Sequence, residues 1–116
     1  MSYHFSMNGI GAKSFTAKKG GDVTDGQPVY FVKNSTVADA PCTYDFCGVC
    51  IGSRGDLVTV QYRGFVTLSF SGAAPQLGYN PLVADGNGGV MIEPAASCKY
   101  LVSQVDKAAK TCCILL

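Results

Sequence analysis

"LVTVQYRGFVTLSF", residues 57–70, decides the fold class of this chain. Val58, Val60 and Tyr62 fall on every second position, and Val66, Leu68 and Phe70 do so again. Period two is the spacing of side chains along one face of a β-strand. Arg63-Gly64 divides the two runs. The pair reads either as a hairpin turn or as a bulge or sharp corner in one long strand.

The same grammar continues on both sides. "FCGVCIG" (46–52) is a short β-prone run closed by Gly52, and "SRGD" (53–56) is a turn. Further upstream, Asp25-Gly26 precedes the apolar run from Val29 to Val32, with Pro28 at the strand start, where its missing N–H breaks no ladder. "NSTVADAPC" (34–42) reads as a polar connector. Downstream, Pro75, Gly78 and Pro81 argue against a helix. "ADGNGG" (84–89) is turn chemistry, and Val90 to Ile92 resumes an extended run. The last segment, "KYLVSQVDKAAKTCCILL", spaces Leu101, Val105, Ala109 and Cys112 as a helix could. Its valines, threonine and isoleucine favour a hairpin instead, with strands at Tyr100 to Val105 and Thr111 to Leu115 around "DKAAK". No internal repeat stands out. The pattern predicts an all-β domain, a single small barrel or sandwich of roughly seven to nine strands.

The first 21 residues differ. They hold Lys13, Lys18 and Lys19, no acidic residue, and glycines at 9, 11, 20 and 21. They read as an extended N-terminal arm (1–21) preceding a β-barrel domain (22–116). The alternative is one edge strand near Tyr3 to Met7 plus a loop.

Length and composition bound the function. At 116 residues, 47% hydrophobic and 15% charged, the chain suits one domain with a real core. A net charge of +1 gives no nucleic-acid footprint. No apolar run approaches the roughly 18 residues of a membrane span, so neither nucleic acid nor membrane is an expected partner. "MSYHFSMNGIGAKSF" lacks the basic and apolar regions of a secretory signal, and Ser2 stands where myristoylation needs glycine. Cytosolic synthesis with reduced thiols is the expectation.

Three of the six cysteines lie in "CTYDFCGVC" (42–50). Cys47-x-x-Cys50 has the spacing of half a zinc site, and the candidates for a second half are Cys42, Cys98, Cys112 and Cys113. Residues 112 and 113 point to opposite faces of a strand, so both do not easily reach one ion. His4, the single histidine, sits in the arm. A thioredoxin-like reaction needs a helix after the motif, and "CGVCIGSRGD" does not supply one. The favoured reading is cysteine as a small buried hydrophobe, with zinc at Cys47 and Cys50 kept as the alternative. Cys113-Ile114-Leu115-Leu116 fits a prenylation pattern but reads equally well as a closing strand.

No catalytic residues are assigned. His4 is no plausible general base, and the carboxylates sit mostly in turns. No cofactor is expected. The aromatics Tyr30, Phe31, Tyr62, Phe65, Phe70, Tyr79 and Tyr100 fall mostly on expected strands and are read as core.

In order and spacing, "GGDVTDGQPVYF", "FCGVCIGSRGDLVTVQYRGFVTLSFSG", "GYNPLVADGNGGV" and "YLVSQVDKAAKT" with its final apolar strand resemble the capsid decoration, or head-stabilising, proteins of tailed bacteriophages. The resemblance runs from about residue 20 to the end and rests on no single motif. It implies a tulip-like β-barrel and a non-enzymatic structural role. The partner would be the major capsid protein, bound on the outer capsid surface by homotrimers at local three-fold positions. It places the protein on the virion after synthesis in the bacterial host cytoplasm. It makes Lys13, Phe15, Lys18 and Lys19 the expected capsid contacts. The alternatives are another head–tail or tail protein of β-barrel style, or a small zinc-binding β-module. Nothing in the family role requires the cysteines.

Overall fold

The computed structural model describes residues 7–116. His4 and most of the edge strand considered near Tyr3 to Met7 lie outside the described residues. The described chain is all-β, in ten strands: β1 (Lys13–Lys19), β2 (Pro28–Lys33), β3 (Thr36–Asp39), β4 (Gly48–Arg54), β5 (Leu57–Arg63), β6 (Phe65–Ser69), β7 (Gly78–Ala84), β8 (Val90–Ile92), β9 (Lys99–Asp106) and β10 (Thr111–Leu115).

β1 to β5 close a barrel in the order β1-β3-β2-β4-β5, with β5 returning to β1. Its interior is filled by Ala17, Val29, Val37, Cys50, Val58 and Val60. The alternation of residues 57–62 sends Val58 and Val60 into this core, where both are fully buried. Gly55-Asp56 joins β4 to β5. Gly55 at φ +59 is the first central residue of a two-residue hairpin, where a II′ turn calls for glycine.

Arg63-Gly64 is the corner and not a hairpin. β5 stays in the barrel, while β6 starts a second five-stranded sheet, ordered β6-β10-β9-β7-β8. Gly64 adopts φ +91 there and carries the chain from one sheet to the next. The C-terminal hairpin falls where the sequence put it, since Thr111 to Leu115 pairs with β9 on one side and β6 on the other. Val66, Leu68, Leu82, Ala84, Val90, Val102, Cys112 and Ile114 build the core of this sheet. Val49 joins it from the barrel, because it alternates with Cys50 and faces the other way along β4. One strand therefore serves two cores.

The two halves repeat one topology. Around the barrel all neighbours are antiparallel except β1 with β3. In the second sheet the ladders are antiparallel too, and one parallel bridge, Phe70 with Val90, links the end of β6 to β8. Advancing every strand number by five converts the first arrangement into the second. One bulge recurs as well, while those of β1–β5 and β2–β3 have no counterpart in β6–β10 and β7–β8. β4 skips Ile51 opposite β5, and β9 skips Ser103 opposite β10. The two ladders β2–β4 and β7–β9 differ in register by two residues. The sequence shows no such repeat.

Two sequence expectations change. The stretch read as a polar connector contains β3, whose Val37 is fully buried between β1 and β2. Of the segment 1–21 read as an arm, Lys13–Lys19 is built into the barrel as β1, registered against β5 along its length. Ala17, buried between the exposed Thr16 and Lys18, is what anchors it in the core.

Candidate interaction surface

β1 brings together the four residues expected to make contacts. Lys13, Lys18 and Lys19 are exposed, and Phe15 is half-buried on the barrel core. In the β1–β5 ladder Lys13 stands opposite Arg63, which is also exposed. Lys33, at the end of β2, is opposite Thr36, and Thr36 is paired in turn with Lys18. Five cations thus surround one strand, although the chain as a whole is nearly neutral.

Phe15 is the centre of an aromatic row. Its ring stacks on Phe31 at 5.8 Å and 11°, and meets Tyr62 at 5.6 Å and 42°. Such offset and tilted contacts stabilise by about 1 kcal/mol beyond burial. Phe31 and Tyr62 remain 49% and 38% exposed, so this row is a surface as well as a plug. The sequence reading had placed both in the core. They lie where strands leave it, Phe31 just past Val29 and Tyr62 beside the Arg63-Gly64 corner. Tyr79, also read as core, is exposed, whereas Phe70 is buried as expected.

Where β5 turns into β6, an open groove of about 510 Å³ runs past Ile10, Lys13, Arg63, Phe65 and Leu115. Backbone bonds from Gly9 N–H to Phe65 O (2.8 Å), Phe65 N–H to Ile10 O (3.0 Å) and Leu116 N–H to Gly64 O (3.0 Å) fix its floor.

The cysteines divide by position. Cys50 is in the barrel core, and its thiol lies 3.6 Å from both an Asp25 carboxylate oxygen and the Gly52 carbonyl. Cys112 is in the second core and Cys113 is buried beside it, while Cys42 and Cys98 are exposed. Burial pushes the thiols of Cys47 and Cys50 up, which opposes the thiolate that metal binding needs. Among the described residues no three His, Cys, Asp or Glu side chains gather as a metal would require. Cys47 and Cys50 are not joined by a second pair there.

Tyr100 stacks on Phe46 at 5.1 Å and 11°. Burial, with the charges of Cys98 and Asp45 adding to it, raises its hydroxyl from 10.0 to about 12. The folded state then holds a proton that the unfolded chain gives up above pH 10, so stability falls as pH rises from about 10 towards about 12. Tyr100→Phe keeps the ring stack and removes this titration. Thermal unfolding measured across that window is expected to give a shallower alkaline fall for the variant than for the parent.

No family model matches this chain, and no curated protein matches it.

Proposed function

We propose that this chain is a non-enzymatic structural protein that docks through the β1 face of its barrel on the outer surface of a phage capsid and stabilises the shell. The major capsid protein is the partner, and homotrimers at local three-fold positions are the assembled form. The observation that carries the reading is the partly exposed aromatic row Phe31–Phe15–Tyr62, on the same three strands that carry the exposed Lys13, Lys18, Lys19, Lys33 and Arg63. Rigid rings with apolar faces supply contact area at low entropic cost, and a basic rim steers an acidic partner and fixes its register. The resemblance in turn-and-strand order supports the same role.

Charge reversal tests it. Lys18→Glu with Lys19→Glu places like charge against an acidic shell without touching the core. Co-sedimentation with expanded shells of the major capsid protein encoded in the same genome is expected to weaken about tenfold or more. Unchanged binding by the double variant would remove β1 from the interface.

A further inference from the structure

β1 is paired unequally on its two sides. Against β5 it is registered from Lys13 to Lys18, but against β3 only at Lys18 and Lys19. The Lys18 N–H donates to the Ser35 carbonyl and the Gly20 N–H to the Val37 carbonyl, each at 2.8 Å and both on the β3 side. The Lys19 N–H turns the other way, to the Asp56 carbonyl at 2.8 Å, on the β5 side. Backbone groups alternate in direction along a strand, so Ser14 and Thr16 point the way Lys18 does, away from β5. β3 begins at Thr36, level with Lys18, and no described strand reaches as far as Thr16 or Ser14. Both residues are exposed. A closed barrel therefore carries a short open edge, with the N–H and C=O groups of two residues turned outward.

We infer that this edge, Ser14 to Thr16, is a strand-addition site for an extended, acidic segment of a partner protein. Unpaired backbone donors and acceptors template an added strand, and flanking side chains select its sequence. Lys13 stands at one end of the edge, Lys18 and Lys19 at the other, and Lys33 lies beyond Thr36. Their charge fits carboxylates. Phe31, stacked on Phe15, offers an exposed ring for an apolar residue of the incoming strand. The inference rests on the docking reading and deepens it by naming what β1 receives, and its peptide readout needs no shell.

The probe is an end-blocked octapeptide of alternating glutamate and valine, titrated into the isotope-labelled full chain and followed by amide NMR. The Ser14 and Thr16 amide signals are expected to move and their hydrogen exchange to slow about tenfold or more. The matching lysine–valine peptide is expected to bind about tenfold more weakly or worse. Thr16→Pro removes an N–H that the β1–β5 ladder does not use, so the variant should stay folded and lose the peptide. The exchange readout on the parent protein stands whether or not that variant folds. No change at Ser14 and Thr16 at millimolar peptide, or equal binding of the two peptides, overturns the inference. Shell docking retained by folded Thr16→Pro also overturns it and leaves the docking reading standing. Peptide binding without any shell docking supports the edge and removes the capsid.

Discussion

Gly64→Ala is expected to cost about 3 kcal/mol or more of folding stability, read as a lower urea midpoint at unchanged slope. Two causes add. Gly64 sits at φ +91, a conformation that residues with a Cβ rarely adopt. A Cβ there would also lie 2.6 Å from the Ala12 nitrogen and 2.6 Å from the Gly11 carbonyl carbon, both backbone atoms that cannot rotate away. Relief would have to shift the segment before β1, which is tied to Phe65 by the bonds from Gly9 N–H to Phe65 O and from Phe65 N–H to Ile10 O. Gly26→Ala separates the causes. Gly26 has φ +84 but nothing within 4 Å of a built Cβ, so only strain applies and about 1 kcal/mol is expected. Equal losses at the two sites would mean that close approach contributes nothing at the corner.

Asp85→Ala is expected to lose about 3 kcal/mol, because it leaves several donors unpaired at one buried point. The Asp85 carboxylate accepts from the Ser71 hydroxyl at 2.6 Å, the Asn87 N–H at 2.7 Å and the Gly89 N–H at 3.0 Å. The first bond ties the end of β6 to the β7–β8 loop, and the other two shape the loop itself. Gly89 lies so close to Ser69 that no side chain fits between them. The loop therefore depends on its acceptor for position, and with it the bridge from Phe70 to Val90. Asp85→Asn keeps an oxygen for the two backbone donors, and about 1 kcal/mol is expected. Thermal unfolding of both variants against the parent checks the order. A smaller loss for alanine than for asparagine would contradict this role.

The all-β class and most strands were legible because alternation survives wherever one face is buried. Residues 57–70 show it, whereas in 100–115 Cys112, Cys113 and Ile114 are buried consecutively, and that hairpin was legible from its valines, threonine and isoleucine instead. β3 escaped because Thr36, Val37 and Ala38 are buried consecutively between two neighbours, which erases the alternation. β1 escaped because its inward positions are only Phe15 and Ala17 amid lysines, so it looks polar until the barrel closes around it. β7 carries Pro81 where its pairing passes from β9 to β8, a place that spares the ladder but hides the strand from a sequence reading. The repeated topology is invisible for another reason. A fold requires the pattern of burial and the turns, and equivalent positions such as Cys50 and Val102 satisfy it with different residues. The candidate contacts on β1 were named from charge and resemblance, whereas the aromatic row was missed because its partners come from three strands far apart in sequence.

Amide hydrogen–deuterium exchange of the full chain, free and bound to expanded shells, tests the docking account most directly. The account predicts new protection concentrated on residues 13–19, with Phe31 and Tyr62 included and the second sheet little changed. Protection confined to residues 65–116 with β1 unaltered, or no association with shells at all, would contradict it.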